Sequence, residues 1–217
     1  MKNLIFLLCI FSFTALFGQE TLVEKTKIRH EIGVNTTLLF KQILSLSDAK
    51  IPVSPYIFTY KALGGKSGFR AAFGMNITSS KESQSTFADS KTLKNESANA
   101  RIGYEWQRAI NPKWNVWFGT DLIGNYTNNT NIADSGFDRV SIGSRSKGIG
   151  AALALGAEWR FNPHFSIATE TSLGGTYLIK DDTTKFAGGT QEDTGKTSKG
   201  HEISSQAPTS IFLVYKF

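Results

Sequence analysis

The residues best suited to chemistry are few and scattered. His201-Glu202 followed by Ser204 and Ser205 sets an imidazole, a carboxylate and two hydroxyls close together. A base beside a hydroxyl is the arrangement that activates serine for acyl transfer, although the same residues suit a polar loop equally well. The segment 188–197, G-G-T-Q-E-D-T-G-K-T, approaches a phosphate-cradling loop. That pattern requires glycine where Thr190 stands, and it must follow a buried strand and open a helix. The three histidines, His30, His164 and His201, lie far apart along the chain and show no metal-ligand spacing. No cofactor or metal is expected.

With no active-site motif to follow, the elements that would position side chains become informative. Eight stretches alternate apolar and polar residues with the period of two that marks a half-buried strand. They cover about 28–40, 55–62, 69–78, 96–108, 114–126, 148–160, 165–179 and 208–217. The second carries Tyr56, Phe58 and Tyr60 on one face. In the last, Ile211, Leu213, Tyr215 and Phe217 form a wholly apolar face opposite Ser210, Phe212, Val214 and Lys216. The connections alternate between long polar stretches (41–54, 79–95, 127–147, 180–202) and tight turns rich in Gly or Asn-Pro. Val140 and Ile142 suggest some strand within 127–147, which makes ten strands the alternative count. Pro208 lacks a ladder donor and marks either the start of the last strand or a bulge.

A weak repeat reinforces the pattern. Gly103-x-Glu105-Trp106 leads to Asn111-Pro112-Lys113-Trp114, and Gly156-x-Glu158-Trp159 leads to Asn162-Pro163-His164-Phe165. Trp114 to Tyr126 and Phe165 to Tyr177 are each twelve residues apart. At ~3.3 Å per residue and ~40° tilt, that is roughly 30 Å along a membrane normal. Trp106, Trp114, Tyr126, Trp159, Phe165, Tyr177 and Tyr215 are therefore expected to form two interfacial aromatic girdles.

The polar faces carry Arg29, Glu31, Arg70, Arg101, Glu105, Asp121, Glu158, Glu170 and Lys216. Unpaired charge in lipid is costly, so this face is expected to line a lumen. The first eight of these residues are the candidate site. They form either a conduit for ions and polar solutes or a plug of ion pairs, and mixed signs favour the plug.

The start of the chain bounds the compartment. A basic Met1-Lys2-Asn3 precedes an apolar run to Phe17, with a small-to-polar switch at Gly18-Gln19. This reads as a secretory signal peptide over 1–18, leaving one domain over 19–217. The sole cysteine, Cys9, lies inside it, so the mature chain has no thiol or disulfide chemistry. The net charge of +6 is dispersed rather than gathered into a basic stripe, which argues against nucleic acid. A mean hydropathy of −0.18 is compatible with barrel strands, whose alternation cancels in an average.

The signal peptide, the eight alternating segments and the final strand ending Tyr215-Lys216-Phe217 together resemble the OmpA/OmpX-like, porin-like outer-membrane β-barrel family. The resemblance implies an eight-stranded antiparallel transmembrane up-and-down barrel with short periplasmic turns and long extracellular loops. It also implies Tyr215 and Phe217 as the assembly signal read by the barrel-assembly machinery. Outer-membrane lipid is the implied surrounding partner, and a monomer is expected. The expected role is non-enzymatic, in envelope integrity or in surface interaction through loops that hold Phe87, Phe137 and Phe186. A small ion or solute channel is the alternative, and a lipid-modifying enzyme is a further one. Lipid A deacylases of similar size use Ser and His, but the motif around their residues is not matched here.

Overall fold

A computed structural model describes residues 27–39, 55–84, 89–134, 139–187 and 194–217. The signal segment with Cys9, the loop residues Phe87 and Phe137, and the 188–193 portion of the phosphate-loop-like stretch lie outside them. Eight strands follow one another: β1 (Ile28–Asn35), β2 (Phe58–Gly64), β3 (Ser67–Gln84), β4 (Asp89–Ala109), β5 (Trp114–Asp134), β6 (Arg139–Arg160), β7 (Phe165–Ala187) and β8 (Thr194–Lys216). Each pairs antiparallel with its neighbour in sequence, and β1 pairs with β8 to close the barrel. Closure leaves no sheet edge at the base, the condition for crossing a bilayer with strands.

The alternation in sequence becomes inside and outside. Phe69, Ile102, Ile149, Leu153 and Leu173 are exposed on the exterior, whereas Arg70, Arg101, Glu105 and Asp121 are buried within. This inverts a soluble protein and defines a lipid-facing barrel. In β8 the apolar face turns outward, while Ser210, Phe212, Val214 and Lys216 are buried inside.

The turns at the base use short-range chemistry. Gly64 pairs with Ser67 across a two-residue hairpin in which Gly65 has φ 71°, a conformation that disfavours a β-carbon. The two Asn-Pro turns are the same device used twice. Asn111 Oδ1 accepts from the amides of Lys113 (2.9 Å) and Trp114 (2.8 Å), and Asn162 Oδ1 from those of His164 (2.8 Å) and Phe165 (2.7 Å).

The strand bounds differ from the sequence expectation in both directions. The polar stretches expected as long loops mostly continue as paired strand, so β4 to β8 run to 21–23 residues. Val140 and Ile142 lie in strand, as an upward extension of β6, and the count stays eight. Polar, charged and Gly-containing segments carry no apolar alternation to reveal a strand, but registered pairing with a neighbour suffices to extend one. Conversely, β1 ends at Asn35, before the expected 40. Thr37 to Leu39 turn helical, with Asn35 Oδ1 accepting from the Thr37 amide at 3.0 Å and its hydroxyl at 2.6 Å. Pro208 falls within the register shift of β8 against Glu170 and Ser172, consistent with the bulge expectation.

The β1–β8 seam at the base carries an aromatic stack. Phe217 exchanges backbone hydrogen bonds with His30 (3.0 and 3.1 Å) and lies on its ring at 5.6 Å. His30 bonds Tyr60, and Phe217 stacks on Tyr215, which meets Phe165. Deleting Phe217 removes both bonds and both ring contacts. The deletion is expected to lower the folded, heat-modifiable fraction of the chain several-fold. Cell fractionation with unheated gels checks this, and normal folded levels would contradict it.

Candidate functional site

The eight candidate lumen residues all project inside the barrel and sort into two layers. The lower layer sits at the turn end. Arg29 Nε meets Glu31 at 2.8 Å, and its NH2 donates to Gln107 at 2.8 Å. Lys216 bridges Glu158 and Glu31, and Arg160 also meets Glu158 at 3.3 Å. Arg29 and Arg160 are the partly exposed members, closing the base with their heads toward water.

The middle layer is drier. Arg70 contacts three carboxylates: Asp121 at 3.1 Å, Glu170 at 2.8 Å and Glu105 at 3.5 Å. Arg101 forks onto both oxygens of Glu170 and reaches Asp121 at 3.6 Å. Lys61 completes the set on Glu105 at 2.9 Å. Lys61, Arg70 and Arg101 thus face Glu105, Asp121 and Glu170, and formal charge cancels within the layer. Gln107 joins the layers by donating to Glu105 at 2.6 Å and accepting from Asn115 at 2.9 Å.

Glycines make room for these bulky groups. The Trp117 ring lies over Gly156, where any β-carbon would collide with it. Lys61 Nζ and the Arg70 guanidinium lie 4.4 Å and 4.2 Å from that ring, a pair of cation–π contacts in a dry setting. A β-carbon at Gly103 would strike Asp121. The space left among Lys61, Arg70, Arg101, Trp117 and Glu170 is about 20 Å³, room for roughly one water.

Tyr56 covers the network from above. Sequence alternation places it with Phe58 and Tyr60 on the lipid face. Instead β2 begins at Phe58, and Tyr56 is buried in the lumen with Arg101 4.2 Å over its ring. The Pro55 carbonyl lies against Gly74, where a β-carbon would not fit, and Asn35 Nδ2 holds the Tyr56 carbonyl at 3.1 Å. The incoming chain therefore folds inward before joining the wall, which breaks the alternation that the sequence reading extrapolates.

Sequence reasoning also missed Lys61 and Trp117, while alternation already puts Gln107 and Asn115 on the polar face. Parity could have found the first two, since each lies an even number of residues from an inward neighbour such as Asp121 within its strand, or pairs with Arg70 across strands. Above Tyr56 the inner wall changes character. Alternation points Asn76, Thr78, Asn99, Asn125, Thr127 and Asn129 inward on the extended strands. Asp182 on the same wall pairs with Lys180 at 3.1 Å, and the Ser144 hydroxyl followed by Lys180 holds its carboxyl below the usual value.

The aromatic candidates sit outside. Trp106, Trp114, Trp159, Phe165 and Tyr215 ring the turn end, where Trp106 stacks on Phe118. Tyr126 and Tyr177 lie at the opposite level on outward positions of β5 and β7. His201 tilts against Tyr177 at 5.2 Å on the outside, Glu202 and Ser204 alternate inward, and Ser205 lies on the outer face four residues along the strand, about 13 Å from His201. His164 lies near Tyr215 in its turn. Phe186 falls on an inward position near the end of β7. No group of metal-ligating side chains occurs among the described residues.

Replacing Arg101 by Ala takes the fork from Glu170 and leaves three buried carboxylates facing two cations, Lys61 and Arg70. The expected loss is about 3–5 kcal/mol of stability, the scale for removing one partner of a buried pair. The double change Arg101→Met with Glu170→Leu is expected to cost clearly less. Urea titration in lipid vesicles checks both, and equal losses would contradict the pairing account.

No family model and no curated protein matches this sequence. Among solved structures, it is similar to CarO2 of Acinetobacter baumannii, at 11% identity over 88% of this chain and 98% of that one, TM-score 0.39. It is similar to a major outer membrane protein of Thermus thermophilus, at 8% identity over 88% of this chain and 100% of that one, TM-score 0.45. It is also similar to CarO of Acinetobacter baumannii, at 10% identity over 91% of this chain and 98% of that one, TM-score 0.34.

Proposed function

We propose that this chain is a non-enzymatic outer-membrane β-barrel with a sealed lumen, serving envelope integrity or surface interaction through the wall it raises above the membrane. The observation that carries this reading is the middle layer: three cations and three carboxylates paired inside the barrel, with the apolar patch of Ala168, Phe212 and Val214 beside them, Tyr56 above and a cavity of about 20 Å³ among them. An ion would have to displace a buried, neutralised network to pass. The apolar exterior between aromatic rows supports the membrane setting, and the signal-peptide character of 1–18 supports export. In this orientation the tight turns face the periplasm.

The upper wall is the part left to meet the outside. Its strands run to 21–23 residues, roughly 50–60 Å along the normal at ~3.3 Å per residue and ~40° tilt, against a ~25 Å apolar band. Its inner surface carries amides and hydroxyls together with the Lys180–Asp182 pair. Tyr215 and Phe217 serve as the assembly signal in this reading, and the girdle residues fix depth.

Refolded protein, confirmed by a heat-dependent gel shift, is expected to give no discrete conductance in a planar bilayer. Ion-selective steps would overturn the sealed lumen and favour the channel. Overexpression is expected to leave lipid A and phospholipid acylation unchanged by mass spectrometry, and altered acylation would overturn the non-enzymatic reading.

A further inference from the structure

The outward positions on β5 to β8 at the level of Tyr126 and Tyr177 form rows fixed by strand register. One row reads Tyr126, Lys147, Ile179, Lys199, and the row beneath it reads Gly124, Ile149, Tyr177, His201. Lys147, Lys199 and His201 are exposed. The two lysines flank a single intervening strand, so their β-carbons stand ~10 Å apart, and four-carbon stems let both ammonium groups reach one anion. The row above holds Arg145 next to Asp181, whose carboxylate accepts from the Thr197 hydroxyl at 2.8 Å. Glu96, further along that row, accepts from Asn128 at 3.1 Å. Lys147, Lys199 and Arg145 therefore outnumber the two carboxylates of these rows, Asp181 and Glu96.

Two rows beneath the lysines, past Ile149 and Tyr177, a shallow, open furrow of about 850 Å³ runs around the wall from Phe69 and Ile102 through Leu122, Ala151 and Gly175 to Ile203. Within it the small residues Ala151 and Gly175 face each other across β6 and β7, and a β-carbon at Gly175 would meet open space.

We infer that this face binds one anionic lipid, its phosphate between Lys147 and Lys199 and an acyl chain in the furrow beneath. The inference rests on the membrane setting proposed above. Cations at the headgroup level attract anionic lipid by about 1 kcal/mol each. The apolar furrow distinguishes a lipid from a free anion, because only a lipid fills both parts.

The test is native mass spectrometry of the full chain in non-ionic detergent, with phosphatidic acid, phosphatidylcholine and inorganic phosphate as probes. Phosphatidic acid is expected to be retained in preference to phosphatidylcholine. The Lys147→Gln, Lys199→Gln double variant is expected to lose retention on the order of 30-fold. Gly175→Leu, which fills the furrow without touching a charge, is expected to reduce retention of both lipids. Excess inorganic phosphate is expected not to compete. Equal retention by the double variant, no preference over phosphatidylcholine, or displacement by inorganic phosphate would each overturn the site. Folded, non-conducting wild-type barrel that retains no phosphatidic acid overturns the site and leaves the sealed barrel standing. Conducting barrel that retains the lipid does the reverse.

Discussion

The charge layer at mid-barrel governs the rest of the structure. Arg70 alone meets carboxylates from three other strands, Glu105 on β4, Asp121 on β5 and Glu170 on β7, while Lys61 on β2 and Arg101 on β4 complete the circuit. Stripping water from such groups is unfavourable unless each finds its partners. Because strand side chains alternate with a period of two, slipping one strand by a residue would send its charge into lipid and its apolar set into the bore. The network and the lipid therefore enforce the same register from opposite faces. That mutual enforcement is a stronger specification than either hydrophobic exterior or ion pairing supplies alone.

The network also explains features that look unrelated to it. Eight strands enclose space only for side chains, so large groups require small neighbours. Gly156 lies under Trp117 and Gly103 beside Asp121 for that reason, and Gly74 yields its face to the Pro55 carbonyl. An apolar patch of Ala168, Phe212 and Val214 fills the side of the bore that the charges leave. Tyr56 lies over Arg101 with its ring face, so a residue of the connection to β2 becomes part of the filling.

How much of this was legible in the sequence follows from where alternation is forced. Between the aromatic rows, lipid outside and ion pairs inside make the period of two unavoidable, and there the eight strands and all eight inward charges could be read. Beyond Tyr126 and Tyr177 both faces of the wall meet water, alternation has no cause, and the extension of β4 to β8 is invisible to it. At Tyr56 the chain leaves the strand geometry altogether, so extending the pattern from Phe58 and Tyr60 put one aromatic on the wrong side. The lumen residues that went unnoticed, Lys61 and Trp117 above all, sat in plain parity with their neighbours. A tryptophan at an inward position is unexpected until two cations are known to lie on its faces.

The division of labour along the barrel axis then has a physical basis. Low in the bore the charges are paired, and in the middle layer they are buried with three cations against three carboxylates, which suits holding strands together. At the upper belt, Lys147 and Lys199 stand outward where the apolar band ends, and higher still the inner wall bears Asn and Thr side chains. Groups that remain hydrated can change partners at little cost, whereas groups in the middle layer cannot. Rigidity therefore belongs to the plug, and in the proposed role recognition falls to the belt and the raised wall. The plug keeps the wall in one register, so the surface groups stay in fixed rows even where their own strands carry no apolar pattern to hold them.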